Sequence, residues 1–152
     1  MEKPEPIVII DQYGNTTVID IEDERSIADV RQWKISEAAK LRDNFIVEGF
    51  YPQPFNMKVK LDEAAEARLT GAKSYLTDNP NETIYWSLGG GNIIQLNQGM
   101  INAIANQAGA HVQRGFKIYG LLCQQIAAMT QIEELDVYDV LAGWLELQNA
   151  SN

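Results

Sequence analysis

From Ile101 to Ile126 apolar residues recur at three-and-four spacing: Ile101, Ile104, Ala105, Ala108, Val112, Phe116, Tyr119, Cys123 and Ile126. Only an α-helix gathers residues spaced in this way onto one face, because each turn takes about 3.6 residues. The stripe predicts a core helix starting after Asn97, which is placed as its cap, with Leu96 and Ile101 positioned as a hydrophobic staple. Gly109, Gly115 and Gly120 interrupt the stripe and weaken the helix intrinsically, so packing must hold it. Everything else in the chain has to supply a cover for this helix.

Ser26, with Asp29 three residues on, predicts a helix start, and Gly49 predicts its end. Between them Ile27, Val30, Trp33, Ile35, Ala38, Leu41 and Phe45 make a thin apolar seam among charged residues. Such a seam suits either packing against a copy of the same helix or lying across its own domain. Phe50-Tyr51 and Phe55, with Pro52 and Pro54, form an irregular extended segment. Met57, Val59 and Leu61 then alternate with Lys58 and Lys60, which predicts a half-exposed strand. Asp62 caps a helix with Ala65, Leu69, Ala72 and Leu76 on one face. Gly71 inside it implies a close backbone contact, since glycine costs about 1 kcal/mol against alanine in a helix.

Thr83 to Leu88 reads as a strand with Trp86 and Leu88 on one face and Tyr85 and Ser87 on the other. It turns through Gly89-Gly90-Gly91-Asn92 and returns along Ile93-Ile94-Gln95-Leu96. Thr130 and Glu133 read as a capping box for one last helix through Leu135, Val137, Tyr138, Leu141, Trp144 and Leu145. At the other end Ile7-Val8-Ile9-Ile10, a Tyr13-Gly14-Asn15 turn and the alternation of residues 16–21 predict a β-hairpin. A lone hairpin is marginal in water, so this one must pair with something, and the acidic run Glu22-Asp23-Glu24 after it looks like a linker. The expected fold class is therefore α+β, with three or four helices, small β-hairpins and an N-terminal hairpin extension. The expected organisation is an attachment hairpin over 1–25, a linking helix over 26–48 and a compact α+β domain over 49–148.

The 152 residues carry a net charge of −9, which argues against nucleic acid as a partner, because phosphate contacts need clustered Lys and Arg. The charge is uneven. Residues 1–25 and 131–152 each sum to −5, leaving +1 for 26–130. Acidic ends either keep the chain soluble or form a surface for a basic partner. The first residues lack the basic start and apolar run of a signal peptide. No apolar stretch approaches the roughly 18 residues of a membrane helix, so no membrane association is expected. The single cysteine, Cys123, leaves no internal disulfide, and the glycosylation-type triplets at Asn15, Asn81 and Asn149 read as chance matches.

No catalytic, cofactor-binding or metal-binding residues are expected. His111, the only histidine, and Cys123 lie twelve residues apart on one predicted helix. That is about 18 Å along the axis at 1.5 Å per residue. Cys123 is then most simply a small core residue. Glu22-Asp23-Glu24 and Glu133-Glu134-Asp136 lack calcium-loop spacing. The second belongs at a helix N-terminus, where acids complement the dipole. Gly89-Gly90-Gly91 lacks the Lys-Ser/Thr of a phosphate loop and reads as a hairpin turn. Glu63, Glu66 and Arg68 read as the solvent side of one helix, and Trp33, Trp86 and Trp144 as core or interface anchors.

One family shows this order of features. Lys40-Leu41-Arg42-Asp43 leads to Gly49-Phe50, then Asp62, Leu69-Thr70-Gly71-Ala72, Tyr85-Trp86, Ile94-Gln95-Leu96, a long helix with Phe116 and Ile126, and Thr130-x-x-Glu133-Leu135. Over roughly residues 36–140 the chain resembles the domain-of-unknown-function family 4376, which occurs in tail and tail-fibre gene clusters of bacteriophages. The family brings no active-site residues. Ser87-Leu88 and the glycine turn depart from its usual polar, Asp-containing turn, so no binding role passes to Tyr85-Trp86. The resemblance implies a non-enzymatic protein of the virion tail, made in the host cytoplasm and contributing to fibre or baseplate architecture. Its implied partners are other phage tail or fibre proteins, and the long helix over 26–48 suggests a homo-oligomer, with a trimer as the expected state. The alternatives are a tail-fibre assembly chaperone absent from the mature virion and a small enzyme with a site at an oligomer interface.

Overall fold

A computed structural model describes residues 3–19, 24–53, 55, 57–89 and 92–151, with Leu88 and Gly89 described by backbone alone. The elements run β1 (Ile7–Ile10), β2 (Thr16–Ile19), α1 (Ile27–Glu48), α2 (Glu63–Asp78), β3 (Ile84–Gly89), β4 (Asn92–Leu96), α3 (Gln98–Ala128), α4 (Ile132–Val137) and α5 (Val140–Ala150). The fold is α+β: the described residues form five helices with two antiparallel hairpins, β1–β2 and β3–β4. The fifth helix arises because the stretch after Thr130 breaks in two. Asp139 accepts a hydrogen bond from the Ala142 N–H at 3.0 Å and so starts α5 afresh. The cap of α4 lies one residue later than Thr130–Glu133 suggests, with Glu134 Oε2 accepting from the backbone N–H of Gln131 at 3.2 Å.

The other helix ends follow from local chemistry. Ser26 accepts from the Asp29 N–H, Asp62 from the Ala65 N–H and Asn97 from the Met100 N–H, each occupying an otherwise orphaned donor. Gly49 stops α1 at φ 75°, and a Cβ there would lie 1.8 Å from the carbonyl oxygen of Val59. Only glycine tolerates both the left-handed backbone and that approach.

α3 is the axis of the molecule. Its first half, with Leu76 of α2 and Leu96 of β4, builds one buried cluster around Ile101, Ile104 and Ala108. Met57, Val59 and Leu61 belong to it too, while Lys58 and Lys60 point out. Their alternation is that of a strand, but the pairing is one isolated bridge between Phe50 and Val59. Pro52, with no N–H to donate, stops the ladder from extending past Phe50.

The second half of α3 buries Gly115, Ile118, Leu122 and Ile126, rather than the Phe116–Tyr119–Cys123 stripe. Ile118, Leu122 and Ile126 pack with Val30 and Ala38 of α1, Leu135 of α4 and Val140 and Trp144 of α5 in a second cluster. Gly115 decides the face, because a Cβ on it would stand 3.1 Å from both Phe45 and Ile46 of α1. The aromatic stripe one residue over is used differently. The Arg42 guanidinium sits 5.0 Å from the Phe116 ring and 4.7 Å from the Tyr119 ring. The seam of α1 is thus taken up inside the chain, against α3, α4 and α5.

At Gly71 a Cβ would meet nothing within 4 Å, so the close contact expected there does not exist. Gly90 and Gly91 of the glycine triplet, and Glu22 and Asp23 of the acidic run, lie outside the described residues. So do Asp20 and Ile21 of the expected second strand, and Pro54.

Candidate interaction surface

The groups that could carry chemistry are each engaged in structure. His111 Nε2 lies 2.9 Å from the carbonyl oxygen of Phe45, and its ring stacks at 4.3 Å on Phe45 and 5.6 Å on Phe50. Cys123 is half-buried and hydrogen-bonded to Tyr119, whose phenol is raised above its ordinary pKa chiefly by that bond and then by burial. Of the acidic cluster over 133–136, Glu134 caps α4 and Asp136 pairs with Arg25 at 2.8 Å. Among the described residues no three His, Cys, Asp or Glu side chains are placed to hold a metal ion. No described helix is long and apolar enough to cross a membrane. Trp86 and Trp144 belong to different clusters, so the tryptophans form no common platform. An open trough of about 390 Å³ between α2 and α3 has apolar walls including Leu69 and Val112, and a rim of Glu66, Thr70 and Lys73.

The unsatisfied feature is the first hairpin. Val8 pairs with Val18 and Ile10 with Thr16 on one face, while Ile7 pairs with Ile19 and Ile9 with Thr17 on the other. An antiparallel sheet that shelters one face carries polar residues on the other. This one carries Val and Ile on both, and the six side chains Ile7, Val8, Ile9, Ile10, Val18 and Ile19 are 45–67% exposed. None of them belongs to either buried cluster. Each gains on the order of 1 kcal/mol when covered. Local chemistry shapes the hairpin well. Asp11 accepts from the Tyr13 and Asn15 backbone N–H groups at 2.8 and 2.9 Å, and from the Asn15 amide at 2.8 Å. Gly14 takes the left-handed conformation, φ 80°. The side-chain bond from Asn15, then the backbone bonds, hold the Asp11 carboxyl below its ordinary pKa. Among the described residues, a formed turn therefore presents two strands that have one neighbour each and no cover.

A second exposed apolar area lies on the β3–β4 hairpin. Ile84, Trp86 and Ile94 pack inward against the first cluster, whereas Tyr85 is 75% and Ile93 62% exposed.

The residues from Asp29 to Val140 match the family described as a domain of unknown function, DUF4376. The chain belongs to the DUF4376 family. The matched region starts inside α1 and ends at the first residue of α5, so the DUF4376 domain contains the β3–β4 hairpin and most of both clusters. The apolar β1–β2 hairpin lies wholly outside it. No curated protein and no solved structure shows significant similarity to the chain.

Proposed function

We propose that this DUF4376 protein is a structural or accessory component of a bacteriophage tail, in the fibre or baseplate region, working through protein–protein contacts and self-association. The observation that carries the reading is the β1–β2 hairpin, apolar on both faces, exposed, and appended to the family domain. Two four-residue strands do not hold together alone in water, so the hairpin is an element completed by another molecule. Its role is attachment. The tail setting comes from the resemblance of residues 36–140 to a family found in tail gene clusters. The reading is also supported by the structural employment of His111, Cys123, Glu134 and Asp136.

An assembly chaperone would use the same hairpin transiently and leave the finished particle. Quantitative mass spectrometry of purified virions separates the two. Peptides in fixed stoichiometry with tail proteins are the expected result, and their absence would assign the chaperone role instead.

A further inference from the structure

We infer that the partner covering the β1–β2 hairpin is a second copy of this chain, and that the hairpin docks head-to-tail on the basic groove beside β3. This rests on the attachment role proposed above and names its receiving surface.

Charge selects the occupant. Residues 1–24 carry seven acids against Lys3, a net of −6, so two hairpins brought face to face repel. Elsewhere the same chain offers the opposite charge. A groove of about 280 Å³ is lined by Lys58, Lys60, Asp62, Arg68, Trp86 and Ser87, among others. Two of these charges are spent locally, since Lys58 pairs with Glu48 at 2.7 Å and Asp62 accepts from the Ala65 N–H at 2.8 Å. Lys60 is exposed and shares the Glu48 carboxylate with Lys58, and Arg68 is exposed with its guanidinium 6.0 Å from the Trp86 ring, so the groove keeps a positive excess.

The apolar requirement is met at the same place. Ser87 lines the groove, alternates with Tyr85 on one face of β3, and pairs across the ladder with Ile93. Ser87 thus belongs both to the groove and to the sheet face that carries the exposed Tyr85 and Ile93. An acidic, apolar hairpin fits a basic-rimmed apolar patch, and the two lie on opposite sides of α1 in the sequence. The contact joins two different surfaces, so it is heterologous and can propagate into a ring or a filament.

The test uses two variants of the full chain, studied by sedimentation velocity and light scattering. The first, Val8→Asp with Ile9→Asp, spoils both faces of the hairpin and leaves the groove. The second, Lys60→Glu with Arg68→Glu, reverses the groove and leaves the hairpin. All four positions are exposed, and retained helical circular dichroism shows that each variant folds. Wild type is expected to self-associate with rising concentration and to dissociate in high salt, where screening shortens to about 3 Å at 1 M. Each variant alone is expected to be monomeric, and an equimolar mixture is expected to form a 1:1 heterodimer, because each supplies the half the other lacks. A monomeric wild type, association of either variant alone, or a mixture that stays monomeric while both partners are folded would overturn the inference. Association of the groove variant alone would point to a hairpin-on-hairpin contact. Virion composition is measured independently, so a failure here is separable from a failure of the tail assignment.

Discussion

Lys34 of α1 donates its ammonium hydrogen bond to the carbonyl oxygen of Tyr138 at 2.8 Å, across 104 residues of sequence. The lysine is buried, and Tyr138 is the residue at which α4 ends, immediately before the cap of α5. The bond serves a carbonyl that the helix break leaves without an intrahelical partner. Nearby, Arg31 donates to the Met129 carbonyl at 2.8 Å and Arg25 grips Asp136 through two bonds of 2.8 and 2.9 Å. Cations on and just before α1 therefore clamp the last two turns of the fold. Lys34→Met keeps most of the packing and removes the charged bond, so it should destabilise the protein by about 1.5–3 kcal/mol in urea unfolding.

Gly71 and Gly49 make opposite predictions for one substitution. Gly71 lies within α2 with nothing within 4 Å of its would-be Cβ. Gly71→Ala should raise stability by about 1 kcal/mol, because alanine restricts the unfolded chain and suits the helix. Gly49→Ala forces a methyl to within 1.8 Å of the Val59 carbonyl oxygen at φ 75°. It should displace the Phe50–Val59 bridge and lower the thermal midpoint strongly, a change that calorimetry on the two variants side by side will read.

How much of this was legible in the sequence depends on whether a residue's role is local. Ser26, Asp62 and Asn97 each bond a backbone N–H three residues away, so their patterns sufficed to locate three helix starts. Gly49 and the β1–β2 turn are equally local. What escaped is set by packing at a distance. The face of α3 could not be fixed from spacing, since residues 115, 118 and 122 and residues 116, 119 and 123 both continue the stripe. The choice falls to Gly115, because Phe45 and Ile46 must come within 3.1 Å of that point. The break at Asp139 was masked by a continuous apolar pattern from Leu135 to Leu145, and the Gly71 position by the absence of any neighbour. The exposed hairpin was readable as strands. That nothing among the described residues covers it is a fact of the tertiary structure alone.

His111 supplies a stack and a bond, so its removal should act on stability. His111→Ala loses contacts to Phe45 and Phe50 and the 2.9 Å interaction with the Phe45 carbonyl, and should cost about 1–3 kcal/mol. His111→Phe keeps the stack and should recover part of that loss. At a temperature where both variants are folded, phage infectivity should match wild type. Lost infectivity with an unchanged unfolding curve would argue for an enzyme whose site uses the imidazole.

The turn of the β1–β2 hairpin should loosen in acid. The Asp11 carboxyl is held below its ordinary 3.8, first by the Asn15 side chain. Its contribution is thus full above that ordinary value and disappears as pH falls through the lowered one. In a pH titration by NMR, the amide signals of Tyr13 and Asn15, which donate to Asp11, should shift only below about pH 4.

The β1–β2 hairpin as the route into the particle is open to one direct measurement: the copy number of this chain in virions assembled with the wild-type protein and with Val8→Asp, Ile9→Asp. Wild type should appear in fixed ratio to the tail proteins, and the variant, folded but with both hairpin faces spoiled, should be absent. Equal incorporation of the two would contradict the attachment role of the hairpin.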